Sequence, residues 1–269
     1  MIRHNKKLLA LIIAYSVMLL FFLYGVTFCR YGADLPSGGS LEAPTKAHIL
    51  GTDDLGVDVY AQISKSFFRS MLIGVACASI TFIIGGLMGL LSGFVGGKTD
   101  IIISFLINIV LSVPQLPIMI VLGVFLGQKT INIILIISAF SWGGIAKIIR
   151  AKTITICKKP YIQLARSYGG SDMYIIIRHL LPQILPLLLI SSIAIIGSAI
   201  IKESSLAFLG LSNPLARSWG IMISRATRFQ GIFFTDFWKW WLMSPIISLI
   251  LSTTLLRLIS KELQRIFTK

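Results

Sequence analysis

The chain has 269 residues, of which 55% are hydrophobic and 13% are charged, and its mean hydropathy is +0.87. A soluble domain carries about 25% charged residues, so this composition excludes an ordinary soluble protein and indicates an integral membrane protein. The net charge of +15 does not indicate nucleic-acid binding, because the basic residues are spread between apolar runs and do not form one soluble patch.

The first apolar run covers residues 8–28, follows a short basic segment and is long enough to cross a bilayer. Cleaved signal peptides share this pattern, but no small-residue cleavage site follows cleanly, so we predict an uncleaved first span. We therefore divide the chain into a first span, an extracytoplasmic loop, a core domain and a short tail. These parts are residues 1–29, 30–69, 70–260 and 261–269.

Five further apolar runs predict the remaining spans of an all-α protein with about six transmembrane helices. They cover residues 71–97, 101–128, 130–146, 184–201 and 240–256. The glycines of the second run permit close approach of another helix. Pro114 and Pro117 lie inside the third run and predict a kink there, because each removes a backbone hydrogen bond.

The basic residues predict the orientation of these spans. With six spans, most of the 25 lysines and arginines fall on the side of the N-terminus. Most of the ten acidic residues fall in the two long loops on the other side, residues 30–69 and 202–239. The positive-inside rule therefore predicts that both termini and the loop of residues 147–182 lie in the cytoplasm.

This cytoplasmic loop has helical patterning of its own. Pro160 suits the first turn of a helix. One face of that helix would carry Tyr161, Leu164, Ala165 and Tyr168. Gly169 and Gly170 would end it, and Ser171 supplies N-cap chemistry for a second helix that runs toward Pro182. The pattern thus predicts a helix, a glycine turn and a second helix.

The same loop resembles a known family. Gln163-Leu164-Ala165, Gly169 and Leu181-Pro182 are similar to the EAA loop of ABC-transporter permeases, which reads Glu-Ala-Ala, three residues, Gly and a stretch ending in Leu-Pro. Gln163 and Leu164 depart from that pattern, so no ion pair at position 163 is implied. The longer string around them looks like the "C"-type permeases for dipeptides, oligopeptides and nickel.

In that family the loop docks into a groove on the ATPase subunit. The resemblance therefore implies a set of residues that couple this chain to an ATPase. They are Tyr161, Gln163, Leu164, Ala165, Tyr168, Gly169 and Pro182.

A second resemblance lies in the first outer loop. The string that begins at His48, HILGTDDLGVD, resembles the H-x-LGTDxLGRD signature of the same subfamily, with Val57 in place of Arg. Asp53, Asp54 and Asp58 could in principle hold a metal ion, but Asp and Gly at these spacings also turn and cap the backbone. We favour the turn interpretation.

Two segments provide candidate pathway or gating residues. Asn108, Ser112 and Pro114 stand in a string that resembles the D-x-x-x-S-x-P of the family, and Asn108 could either join helices or contact cargo. Glu203 follows Lys202 and opens ESSLAFLGL, which is similar to E-A-x-L-S-F-L-G-L. This ionisable pair at the end of a span is a functional candidate, or else a snorkelling surface pair.

The sequence contains none of the H-E-x-x-H, C-x-x-C, G-x-S-x-G or G-x-x-x-x-G-K-[ST] motifs. We therefore expect no catalytic residue, no metal site and no cofactor in this chain, with ATP and Mg²⁺ bound by separate subunits. We also expect its three cysteines to be unpaired.

The resemblance implies a type I importer permease fold and a set of partners. These are a second homologous permease, two ATPase subunits, an extracytoplasmic solute-binding protein and the lipid of the inner membrane. We favour peptide cargo, and nickel or a metal chelate is the alternative. A secondary transporter or a channel is the competing class, but the predicted spans lack the buried charges and polar rings that such proteins need.

Overall fold

The computed structural model describes residues 2–29, 31–213 and 216–267 of the chain. The helices are α1 (Ile2–Thr27), α2 (Val59–Val95), α3 (Gly97–Ser112), α4 (Gln115–Leu126), α5 (Thr130–Cys157), α6 (Pro160–Ser167), α7 (Asp172–Ile175), α8 (Leu181–Phe208), α9 (Trp219–Arg228) and α10 (Met243–Phe267). A π-helical turn at Ile176–Leu180 joins α7 to α8, and a 3₁₀ turn at Asp236–Lys239 precedes α10.

Five helical segments are long and apolar enough to cross a membrane, and α3 with α4 makes a sixth if this bent pair is counted as one span. The prediction of an all-α protein with about six spans is confirmed.

Helix α2 packs along α5 through glycines, as its composition predicts. A Cβ added at Gly89 would lie 2.6 Å from the carbonyl oxygen of Ala146, and one added at Gly93 would lie 2.6 Å from Cβ of Thr153. Only a residue without a side chain allows backbones to come this close. The residue numbers of the contacting pairs increase in the same direction on both helices, so α2 and α5 run parallel.

Helices α1 and α8 run in the opposite direction to α2. On α8, Leu188 lies against Gly86 of α2, and Ile196 lies against Gly74. On α1, Tyr15 donates a hydrogen bond to the sulfur of Met71, while Gly25 lies beside Ser64. The start of α1, the α2–α3 turn and residues 157–182 therefore share one end of the bundle, which we call the basic end.

The helices are longer than their apolar runs. Helix α2 begins at Val59, twelve residues before the predicted span, and Asp58 caps it by accepting the amide hydrogen of Ala61 at 2.8 Å. Helix α5 continues past Ala146 to Cys157, and α8 continues past Ile201 to Phe208. A helix satisfies its own backbone hydrogen bonds, so it can continue into the aqueous layer after its sequence turns polar.

The predicted kink in the third apolar run is a complete break. Helix α3 ends at Ser112, α4 begins at Gln115, and the two axes differ by 89°. Pro114 occupies the N-cap position of α4 and has no N–H to continue the ladder of α3.

The two long polar connections fold together over the end of the bundle opposite the basic end. Indole Nε1 of Trp240 donates to the carbonyl of Thr52 at 3.3 Å, and Nη2 of Arg225 donates to Oδ1 of Asp54 at 2.9 Å. Residues 31–58 and the segment from α9 to Trp240 thus form one folded cap.

A bidentate ion pair joins α3 to α5 at the basic end. Arg150 donates from Nε and Nη2 to the two carboxylate oxygens of Asp100, at 2.6 and 2.7 Å, and Ser92 of α2 donates to the same carboxylate at 2.5 Å. From the sequence, Arg150 is only one of the basic residues in the predicted cytoplasmic loop of residues 147–182.

We expect Asp100→Asn and Arg150→Gln each to destabilise the chain by about 1 kcal/mol, because the pair is bidentate but partly exposed. The double variant should lose little more than either single variant, since one interaction is removed in all three. Unfolding midpoints in detergent would measure this. Fully additive losses would contradict a direct pair.

Candidate functional site

The most distinctive surface at the basic end belongs to α6. Three of its large side chains are exposed, with accessible fractions of 40% for Tyr161, 56% for Leu164 and 88% for Tyr168. Ile162, in contrast, is fully buried. The helix therefore presents an apolar and aromatic face away from the bundle, as the spacing predicts.

The remaining predicted coupling residues surround this face. Gln163 and Gly169 are exposed and Ala165 is half-buried. Pro182 lies in the first turn of α8. The structure thus brings the seven predicted residues together in one region. Exposure is the property that a docking surface needs and a packed core helix lacks.

The end of α6 is fixed by a glycine turn. Gly169 has φ +80°, which is costly for any residue with a side chain. Its amide donates to the carbonyl of Arg166 at 3.0 Å, and the amide of Gly170 donates to the carbonyl of Ala165 at 2.9 Å. These two bonds define a Schellman motif, which terminates the helix at a defined residue.

The second helix of the pattern is not separate from the next span. Ser171 caps α7 by accepting the amide hydrogen of Tyr174, as predicted. The chain then continues through the π-helical turn into α8 without a break. Pro182 has no N–H to bond the carbonyl four residues earlier, and the amide of Leu181 instead bonds Ile176, five residues back.

A hydrogen-bonded group ties α6 to the start of α8. Amide Nε2 of Gln183 donates to the hydroxyl of Tyr161 at 2.8 Å and to the carbonyl of His179 at 2.8 Å. Nζ of Lys159 donates to Oε1 of the same amide at 3.3 Å. The ring of His179 packs against the rings of Tyr161 and Tyr174, with centroids 5.9 and 5.5 Å apart. A displacement of α6 would therefore act directly on α8.

The buried side of α6 joins a hydrophobic cluster that reaches into the membrane-spanning helices. Ile162 packs in this cluster with Ile156 of α5, Ile175 of α7 and Ile184 of α8. Neither Ile162 nor Gln183 is among the coupling residues predicted from the sequence. Ile162 is an apolar residue that lies outside the predicted face of α6. This position could have identified it as the residue that anchors the helix to the bundle.

The predicted pathway residues lie elsewhere. Asn108, Ser112 and Pro114 are exposed around the α3–α4 break, and the hydroxyl of Ser112 donates to the carbonyl of Asn108 at 2.5 Å. The side chain of Asn108 is exposed on α3. Among the described residues, this face is therefore available to cargo, lipid or a second chain.

Glu203 is not part of a snorkelling surface pair. Its side chain is completely buried and faces the hydroxyl of Ser204, 3.4 Å from Oε2, with Arg69 and Ser218 also beside it. Lys202 points elsewhere, and its Nζ donates to the hydroxyl of Ser141 at 3.0 Å. The surface-pair alternative is wrong because α8 continues through these residues into the base of the cap.

The acidic string of the first outer loop performs turn and capping roles. Asp53 accepts the amide hydrogens of Leu55 and Val57 at 2.9 and 2.8 Å. Asp58 caps α2 and also bonds Nδ1 of the buried His48 at 2.8 Å. Within residues 2–29, 31–213 and 216–267, no group of three or more His, Cys, Asp or Glu side chains could hold a metal ion.

Charge pairing across the cap comes from distant residues. Arg225 of α9 pairs with Asp54, while burial raises the pKa of that carboxyl against the opposing effect of this arginine. Lys65 hydrogen-bonds Asp34 and lowers its pKa. The family signature has an arginine where this chain has Val57, so the string lacks that local basic partner. In the structure, an arginine 171 residues further along the chain pairs with Asp54 instead.

The sequence of this chain is similar to those of known transport proteins. The family model described as "Binding-protein-dependent transport system inner membrane component" matches residues 85–269. The chain is 30% identical to the oligopeptide transport system permease protein of Bacillus subtilis over 247 residues, which cover 90% of this chain and 79% of that protein.

Two further relatives are matched over a shorter part of their length. The chain is 33% identical to the dipeptide transport system permease protein of Bacillus subtilis, over 66% of this chain and 56% of that protein. It is 32% identical to the glutathione transport system permease protein of Pectobacterium atrosepticum, over 69% of this chain and 62% of that protein.

Proposed function

Since the chain belongs to the family of binding-protein-dependent transport system inner membrane components, we propose that it is the permease subunit through which an ABC transporter imports short peptides. It is a multi-pass membrane protein and a transport subunit. The observation that carries the mechanism is the exposed aromatic and apolar face of α6, held on a buried anchor at the basic end.

The proposed complex contains this chain, a second homologous permease, two ATPase subunits and an extracytoplasmic solute-binding protein. ATP and Mg²⁺ bind to the ATPase subunits, and this chain carries no cofactor and binds no nucleic acid. The excess of lysine and arginine at the basic end supports its placement in the cytoplasm, with both termini there and the chain in the inner membrane.

Coupling follows from the way α6 is held. Tyr161, Leu164 and Tyr168 would insert into a groove on the ATPase subunit and move with it when ATP closes the ATPase dimer. Ile162 and Gln183 would transmit that displacement to α5 and α8, because both contacts join α6 directly to these helices. Tilting α5 and α8 would switch the pathway between the two permease subunits from its inward-open to its outward-open form.

Peptide cargo is supported by the relatives, which are named for oligopeptides, dipeptides and glutathione. The aspartates that could have suggested nickel handover are instead hydrogen-bonded to backbone amides and to His48. Uptake of a labelled di- or tripeptide and of labelled nickel, in cells with and without this chain, would test the cargo. Loss of nickel uptake alone would contradict the proposal.

We expect Leu164→Asp to uncouple this chain from its ATPase. Leu164 is exposed, so the substitution should leave folding nearly unchanged, but it would place a charge in an apolar contact. A tagged variant should insert normally yet retain less than about a tenth of the ATPase subunit in a pull-down, if the contact is worth the roughly 2 kcal/mol of a hot-spot residue.

Thr155→Asp is the matched control for this experiment. Thr155 is also exposed at the basic end, on the last turns of α5, but it lies outside α6. It should retain the ATPase subunit. Equal retention by both variants would rule out α6 as the docking element.

A further inference from the structure

A groove between α8 and α10 is lined by an arginine that lies opposite the apolar part of α8. The groove has a volume of about 350 Å³, and Ser198, Ile201, Thr253, Thr254 and Arg257 are among its lining residues. Arg257 is exposed in this chain. It lies one residue after the last predicted span, which ends at residue 256, but α10 continues to Phe267.

Contacts with α8 define the depth of this arginine. Thr253 lies beside Gly197 of α8, and the hydroxyl of Ser260 donates to the carbonyl of Ile190 at 2.8 Å. Arg257 lies between these two contacts, opposite the middle of the uncharged part of α8. On α10 itself, Arg257 directly follows the uncharged run of residues 240–256, and Lys261 lies about 6 Å further toward the basic end.

The groove runs from Arg257 away from the basic end. Side chains of a helix lean toward its N-terminus, which for α10 is the end away from the basic end. The groove accordingly extends from Arg257 past Thr253 and Thr254 to Ile201, deeper into the span.

A charge at this depth is costly against lipid, so such residues face protein or water. Among residues 2–29, 31–213 and 216–267, no Asp or Glu forms an ion pair with Arg257. The nearest acidic residue on α10 is Glu262, which pairs with Arg265 at 2.7 Å. The guanidinium donors are thus available for a ligand.

We propose that this groove lines the translocation pathway and that Arg257 binds the carboxylate of the passing peptide. A guanidinium matches a carboxylate through two parallel hydrogen bonds. Every unmodified short peptide carries such a group, and the hydroxyls of Ser198 and Thr254 can accept hydrogen bonds from its amides. This inference rests on the proposed function and adds a chemical basis for cargo recognition inside the membrane.

The first test measures access and charge at the groove without relying on transport. Thr254→Cys is introduced into a chain whose three cysteines are replaced, and the assembled transporter in vesicles is treated with methanethiosulfonates bearing a sulfonate or a trimethylammonium group. The quantity measured is the ratio of the labelling rates of the sulfonate and the trimethylammonium reagent. We expect this ratio to be about tenfold higher with Arg257 present than in the Arg257→Gln variant. Arg257→Lys should keep the preference.

The second test uses the peptide itself as the probe. Trialanine at millimolar concentration should slow the labelling of Thr254→Cys, whereas its C-terminal amide should not. Arg257→Gln should abolish this protection and lower trialanine uptake about tenfold. Lys261→Gln removes a positive charge from the same helix outside the groove and should change neither result.

Failure of this inference is distinguishable from failure of the proposed function. If neither reagent labels the cysteine, lipid or a partner subunit covers the groove. If trialanine and its C-terminal amide both protect the cysteine, Arg257 does not bind the carboxylate. Either result overturns the inference. Absence of peptide uptake by the unmodified chain would overturn the proposed peptide cargo, while the labelling preference would still decide whether Arg257 forms an anion site.

Discussion

Gly169→Pro is expected to abolish peptide uptake and the stimulation of ATPase activity by loaded binding protein, while the chain still inserts in the membrane. Gly169 has φ +80°, and proline is fixed near −65°, so the turn cannot keep its conformation. The substitution also removes the amide that bonds Arg166. Both effects would release Tyr168 and the end of α6 from the position that the Schellman motif defines.

Two variants separate a loss of coupling from a loss of folding. Gly169→Ala keeps the amide and should cost only about 1 kcal/mol for the left-handed conformation, leaving partial coupling. Gly127→Pro introduces the same conflict, because Gly127 has φ +81° and its amide bonds Gly123, but it lies at the opposite end of the bundle. ATPase stimulation should survive in Gly127→Pro. If Gly169→Pro transports peptide normally, the coupling role of α6 is wrong.

Gly89→Val should prevent accumulation of the folded chain. The added Cβ would lie 2.6 Å from the carbonyl oxygen of Ala146 and 2.8 Å from Cβ of Ile149, and neither group can move without separating α2 from α5. Overpacking of this kind costs about 3 kcal/mol, which is a large part of the stability of a typical protein. The amount of monodisperse protein extracted in mild detergent would measure the loss.

Gly144→Val provides the matched control, because a Cβ at Gly144 has no atom within 4 Å in this chain. Both substitutions replace a helical glycine by the same residue, and Gly144 lies on α5 itself. We expect this control to stay within about 0.5 kcal/mol of the unmodified chain in unfolding measurements. Equal losses in the two variants would show that the α2–α5 contact does not depend on glycine.

The local features of the candidate site were predictable from the sequence. Pro160 begins α6, Gly169 ends it and Ser171 caps α7, and each of these roles depends on the backbone preferences of one residue and its near neighbours. The exposed face of α6 followed from the helical period. For the same reason, Pro114 identified the α3–α4 break, although not its angle of 89°.

Helix ends were less accessible to sequence reasoning. The apolar run of α5 stops near Ala146, but the helix continues to Cys157. Hydropathy reports which residues can lie in lipid, whereas helix formation depends on backbone hydrogen bonds that polar residues also sustain. Hydropathy therefore ended the last predicted span just before Arg257, and it left open whether Glu203 lies at a surface or, as the structure shows, is buried.

The sequence by itself determined that this is a multi-span membrane protein, and it identified the helix–turn–helix of residues 160–182 and the family to which the chain belongs. Composition, helical period and turn chemistry depend on the residue types and their near neighbours in the chain, so they are visible in the sequence alone. Only the tertiary structure decided that Ile162 anchors α6, that Arg225 pairs with Asp54 and that Glu203 is buried. These contacts join residues far apart in the chain, and they depend on how the helices pack against one another.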